Sequence, residues 1–242
     1  MPSRLSEFFS GIKDELPILI EVIPFGIIFG VLALEAGILP IASQAMSSII
    51  FAGSAQIVTT QLVAVGAPGL VIVLTVGVVN LRHLLYSASI APYMRSLKFS
   101  WKWLLAYLLT DEAYAVTIHH YEYSDQQNIT KNPINKSDAN GNYKHWFFLG
   151  AGLALWTTWQ ISTAMGILLG AVVPENWSLD FTLALTFIAL VIPNLKDRSS
   201  TTAAIVAGVA AVAAFHLPYK LGLIVAALLG ILVGVLLEVK SK

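Results

Sequence analysis

Phe51-Ala52-Gly53-Ser54-Ala55-Gln56 is the stretch on which the reading of the fold turns. It lies inside a long apolar run, and Asn80-Leu81-Arg82-His83 follows some two dozen residues later with greasy sequence on both sides. A hydrocarbon core offers no water to polar side chains or to free backbone N–H and C=O groups, so such interruptions persist only where they face protein or a wet cavity. The interruptions are therefore where function should be sought.

Composition sets the solvent. Of 242 residues 57% are hydrophobic and 12% charged, with a mean hydropathy of +0.75, against roughly 25% charged in a soluble domain. So few charges do not cover a solvated surface. Apolar stretches of about 18 to 25 residues follow one another, the length that crosses a core of about 30 Å. The expectation is an all-α polytopic membrane protein with a single membrane-embedded domain over residues 1–242. Formal charge is +0 and no basic arm stands out, which argues against a nucleic-acid partner. The lack of cysteine excludes disulfides and thiolate chemistry. Arg4, Glu7, Lys13, Asp14 and Glu15 precede the first apolar stretch without a cleavable leader pattern, so that span is expected to be retained.

The first span runs from Pro17 to Ala36 and carries Glu21, Pro24, Gly26 and Gly30. Glycines four apart admit a second helix closely, and packing is the favoured role of this pair. From Ile38 to Val65 the chain is speckled with Ser43, Gln44, Ser47, Ser48, Ser54, Gln56, Thr59, Thr60 and Gln61, too many polar groups for a lipid-facing helix. A broken or re-entrant hairpin accounts for them. The stretch from Pro68 to Pro92 meets Asn80, Arg82 and His83 in mid-course; on one continuous helix Asn80, His83 and Ser87 share a face, with Arg82 and Tyr86 on the adjoining one. The span from Trp101 to Tyr121 holds Thr110, Asp111, Glu112 and Tyr114 at its middle. Residues 122–144 then form a polar, solvated loop whose Asn128-Ile129-Thr130 and Asn135-Lys136-Ser137 match the glycosylation sequon by chance composition.

The second half opens with a span from His145 to Val173 that contains Trp146, Trp156, Trp159, Gly166 and Gly170. Gly166-Ile167-Leu168-Leu169-Gly170 echoes Gly26-Ile27-Ile28-Phe29-Gly30. With Ile38–Val65 and Leu179–Pro193 as re-entrant hairpins beside about six full spans, seven to eight hydrophobic segments in all, the clusters Arg4/Lys13, Arg95/Lys98/Lys102, Lys196/Arg198 and Lys240/Lys242 fall on one side. The two glycine-paired spans then run in opposite directions. Residues 17–120 and 145–239 become inverted repeats, an arrangement that places a transport site between halves near the midplane.

Phe51-Ala52-Gly53-Ser54-Ala55-Gln56, then Asn80-Leu81-Arg82-His83-Leu84-Leu85-Tyr86, then Thr110-Asp111-Glu112-Ala113-Tyr114 together resemble the AzlC family of branched-chain amino acid permeases. The motifs come in the family's order, and the resemblance covers nearly the whole chain. It implies a multi-pass exporter of leucine, isoleucine, valine and methionine in a bacterial plasma membrane, working with a small AzlD-type membrane subunit. Such a zwitterion needs donors for its carboxylate, acceptors for its ammonium and an apolar pocket. Backbone amides at Gly53, with Ser54, Gln56, Asn80 and Tyr114, are candidates for polar contacts, and Asp111 for the ammonium. Arg82 keeps two readings, a direct carboxylate ligand or a structural ion pair with Asp111 or Glu112; the pair is favoured because an unpaired arginine costs roughly 3 kcal/mol in an apolar span. His83 and Glu112 are proton-coupling candidates, with an interhelical hydrogen bond as the alternative for the imidazole.

Two other classes stay open. Ser54, His83 and Asp111 supply the residue types of an intramembrane serine hydrolase, though Gly53-Ser54-Ala55 lacks the flanking glycines of a nucleophile elbow. A passive channel for small polar solutes fits the same composition. Metal ligation is disfavoured because His119 and His120 are adjacent and point apart on a helix, and no phosphate-binding glycine loop or other cofactor motif occurs.

Overall fold

The computed structural model describes residues 3–131, 143–170, 195, 197–218 and 221–241. The elements among them are all helical: α1 Arg4–Glu35, α2 Pro40–Ile49, α3 Gly53–Ala64, α4 Gly69–Val79, α5 Arg82–Met94, α6 Phe99–Tyr107, α7 Asp111–Lys131, α8 Lys144–Gly170, α9 Arg198–Ala213 and α10 Leu221–Ser241. They fall into two compact units, Met1–Ile57 with Val79–Val172, and Val58–Val78 with Val173–Lys242. α1 and α10 are long and apolar enough to cross a membrane, and α4 with α5 passes the same test as one broken span. The expected six full spans are not reached among the described residues, because breaks divide several apolar stretches into half-length helices. The Leu179–Pro193 hairpin lies outside them.

In the first unit α1 and α8 pack along their whole length, and glycine makes it possible. A Cβ on Gly150 would stand 2.0 Å from the Phe8 carbonyl oxygen, one on Gly11 2.1 Å from that of Phe147, and one on Gly166 2.1 Å from that of Ile27. Gly26 meets Ser162, Gly30 meets Gly166, and Gly170 meets Val31. In lipid, helix pairing draws on this close approach, since apolar side chains gain nothing by leaving hydrocarbon tails. The contacts advance together along both helices, so α1 and α8 are parallel. The expectation that the two glycine-paired spans run in opposite directions is thereby corrected; their likeness is one of packing surface. Phe29 stacks on Trp159 across the same seam, ring centroids 6.3 Å apart, and is fully buried. Glu21 faces outward from it. α1 stops at Gly37, whose φ of +77° suits a residue without Cβ.

The helices from α2 to α6 are short because the chain breaks. Residues Ile50–Ala52 separate α2 from α3, Asn80–Leu81 separate α4 from α5, and Leu108–Thr110 separate α6 from α7. The Trp101–Tyr121 stretch is thus two helices. α6 rises beside α8, with Trp101 on His145 at 4.7 Å and Leu108 against Gly152, and α7 returns so that Tyr121 donates to the Lys144 carbonyl at 2.7 Å. The reversal has a local cause: Thr110 caps α7, its Oγ1 accepting from Ala113 N–H at 3.3 Å. Beyond Tyr121, α7 stays helical to Lys131, so the first part of the expected polar loop is helix. Arg4 lies 5.8 Å over the Tyr143 ring, and Lys102 donates to the Arg95 carbonyl at 3.1 Å. Arg4 and the Arg95–Lys102 turn therefore share one end of the unit, as the positive-inside reading expects of these two clusters.

In the second unit α9 and α10 pack antiparallel through small residues. Gly222 faces Ala214, Gly230 faces Ala207 and Gly234 faces Ala203. Asp197 caps α9 by accepting from Ser200 N–H at 2.6 Å, and that bond holds its carboxyl below the usual carboxylate range. Nothing here departs from a packing scaffold.

Candidate functional site

Three helix beginnings meet at one side chain. Arg82 is the first residue of α5, Asp111 the first of α7, and Ser54 lies in the first turn of α3. Arg82 Nη1 pairs with Asp111 Oδ2, and Arg82 Nη2 donates to Ser54 Oγ at 2.6 Å. α5 and α7 run side by side in parallel, with Tyr86 stacked on Tyr114 at 4.6 Å and Tyr93 beside Tyr121 at 4.9 Å. That register brings the two breaks level. Each helix start carries partial positive charge from unpaired N–H groups, so Asp111 suits its position and Arg82 opposes its own helix dipole. Arg82 stays where it is because Asp111 and Ser54 hold its guanidinium.

The pair is not saturated. Arg82 Nε, Asp111 Oδ1 and Asn80 Oδ1 are buried atoms without a hydrogen-bond partner. One is a donor and two are acceptors, which is the complement of a carboxylate beside an ammonium. The two ionic side chains keep 32% and 34% of their surface exposed, so the centre is reachable and not sealed in the core.

The other expected residues divide. Glu112 lies beside Asp111 in the first turn of α7. His83 is half-buried and directs Nδ1 to the Asn80 carbonyl at 3.2 Å. Because α5 begins only at Arg82, Asn80 does not share a helix face with His83 and Ser87, and Ser87 is exposed. The inward-facing residue is Arg82. Tyr114 points one turn further along α7 and donates to Ser89 Oγ at 2.9 Å. Gly53 lies under the indole of Trp159, where a Cβ would stand 2.8 Å from the ring. Gln56 is fully buried; its amide nitrogen binds the Ile50 and Ser47 carbonyls freed at the α2–α3 break, and its oxygen accepts from Trp159 Nε1 at 3.2 Å. Both residues shape the break that presents Ser54. The hydrolase alternative needs Ser54 beside His83, whereas the two side chains are engaged with Arg82 and Asn80.

Sequence reasoning passed over the polar residues of α8. Gln160 accepts from Gln44 Nε2 and from Ser48 Oγ, both at 2.8 Å, and donates to the Ser47 carbonyl at 3.1 Å. Ser47 and Thr163 share a hydrogen bond of 2.9 Å, and Trp156 Nε1 reaches Tyr107 Oη at 2.7 Å, which in turn donates to the Ser48 carbonyl. The signal was there: Gln160, Ser162 and Thr163 interrupt an apolar helix. The described residues hold no cluster of three His, Cys, Asp or Glu able to bind a metal.

Comparison with known proteins agrees with this architecture. The sequence profile of the AzlC protein family matches residues 17–173, a region that contains all three breaks. The chain is 30% identical over 237 residues to the inner membrane protein YgaZ of Escherichia coli (strain K12), covering 95% of this chain and 88% of that protein. It is 31% identical over 235 residues to an uncharacterized membrane protein of Archaeoglobus fulgidus, with 94% of each covered, and 25% identical over 205 residues to one of Helicobacter pylori, with 81% of each covered. No solved structure matches. With apolar helices of spanning length, half-helices that meet at buried polar groups and relatives that are membrane proteins, the chain is a membrane protein belonging to the AzlC family.

Proposed function

We propose that the chain is a secondary transporter that exports branched-chain amino acids, with the Arg82–Asp111 centre as its substrate site. One observation carries the reading: an ion pair at the meeting of three helix starts retains a buried donor, Arg82 Nε, and a buried acceptor, Asp111 Oδ1, without partners. A zwitterion satisfies both at once. Its carboxylate takes Arg82 and the partial positive charge of the α3 and α7 starts, its ammonium takes Asp111, and Ser54 and Asn80 add hydrogen bonds. The aliphatic side chain lies against apolar wall. Gly53 and Gln56 support the break, and Tyr114 with Tyr86 forms an aromatic flank. His83 and Glu112 are the groups through which a proton is coupled to the cycle, and a small AzlD-type membrane subunit completes the transporter.

The test is efflux of labelled leucine from proteoliposomes that hold the full chain with and without the small subunit. Wild type empties saturably and exchanges leucine in counterflow, while Asp111→Asn and Arg82→Ala insert but do not transport. Normal efflux by both variants removes the centre from the mechanism, and non-saturable flux makes the protein a channel.

A further inference from the structure

α1 carries a carboxylate that the proposed site does not use. Glu15 is fully buried, and neither of its carboxylate oxygens has a hydrogen-bond partner. Its surroundings can be read from the packing of α1 on α7. Glu7 Oε2 meets His120 Nε2 at 3.3 Å near the Arg4 end of the unit, and the helices are antiparallel there. Eight residues further along α1 stands Glu15 and eight back along α7 stands Glu112, so the antiparallel register brings the two carboxyl groups level. Glu112 in turn is the chain neighbour of Asp111, which pairs with Arg82. Among the described residues, Asp111 and Arg82 apart, no other ionisable side chain of α1, α2, α7 or α8 faces the pair: Lys13, Asp14 and His119 are exposed, α2 carries none, and α8 has none between Trp146 and Gly170.

We propose that Glu15 and Glu112 form a proton-binding site, sharing one proton between two carboxyl groups in the α1/α7 seam. Two carboxylates brought level in one seam repel, and Glu15, buried without hydrogen bonds, is costly to hold charged, whereas the pair holding one proton carries a single charge. The proton comes from water at the Arg4 end, past the Glu7–His120 pair, and returns to water later in the cycle; the only bond made and broken is the carboxyl O–H. Thr117, also fully buried with an unpartnered hydroxyl on α7, adds a polar group along this seam. The next acidic group inward is Asp111, so occupancy of the pair bears on the grip of Asp111 on Arg82. The bound proton stands on packing alone, while its role in coupling rests on the transport reading above.

Infrared difference spectroscopy of the purified full chain between acid and alkaline buffer separates the two. Wild type shows the carbonyl stretch of a protonated carboxyl at neutral pH, and Glu15→Gln and Glu112→Gln each lose it while eluting as folded protein. Absence of that band in wild type overturns the site whatever the variants do, as does a band that both variants keep. In proteoliposomes, Glu15→Gln loses pH-driven leucine accumulation by a larger factor than counterflow; equal loss of both overturns the coupling role. A wild type that shows the band but moves no leucine defeats the transport reading and leaves the proton site standing.

Discussion

The seam between α1 and α8 and the junction of α3, α5 and α7 lie in one compact unit and answer the same solvent in opposite ways. Along the seam, long helices satisfy their own backbone groups, and bare glycine surfaces let the chains touch. At the junction, helices stop short, freed backbone groups are met by Thr110 and Gln56, and Arg82 and Asp111 pair with one another. The first arrangement tolerates little change in volume. The second tolerates little change in charge, and it keeps buried polar atoms without partners. Rigidity is supplied by the first, and the proposed transport chemistry is assigned to the second.

That contrast is open to attack by substitution. The largest effect is expected in the seam: Gly150→Leu or Gly166→Leu drives a side chain into a backbone carbonyl and should cost at least about 3 kcal/mol. Thermal unfolding in detergent and yield of monodisperse protein measure it. Second comes the ion pair. Asp111→Asn should abolish efflux yet cost only about 1 to 3 kcal/mol of stability, below the cost at a sealed pair, because a third of each side chain is exposed. Exchange of Arg82 and Asp111 should restore part of the stability that either single change loses. Third, Ser54→Ala removes one hydrogen bond to the guanidinium and should slow efflux about three- to tenfold. Smallest is Gln160→Leu, which unties α2 from α8 and should lower stability by about 1 kcal/mol with efflux nearly unchanged. Should Gln160→Leu abolish efflux while Asp111→Asn spares it, the division between scaffold and site is reversed.

How much of this was legible beforehand follows from what each feature depends on. That polar interruptions turn inward and meet could be read from Ser54, Arg82 and Asp111, because the cost of a charge in lipid is a property of composition and depth. The packing role of Gly26 and Gly30 was equally plain. Direction was not: parallel α1 and α8 follow from which carbonyl meets which glycine, and small-residue pairs serve either orientation. The reversal at Thr110 was hidden because Trp101–Tyr121 has the length and hydropathy of one span, and a single capping hydroxyl decides otherwise. Glu15 read as one of the charged residues before the first apolar stretch, since its burial depends on where α7 returns.

The most direct test is the melting temperature of purified wild type and of Asp111→Asn in rising concentrations of leucine. A site built on Arg82 and Asp111 predicts that leucine raises the wild-type midpoint in a saturable way and leaves the variant unmoved. An equal rise in both would show that leucine binds elsewhere and that the meeting of the three helix starts is only structural.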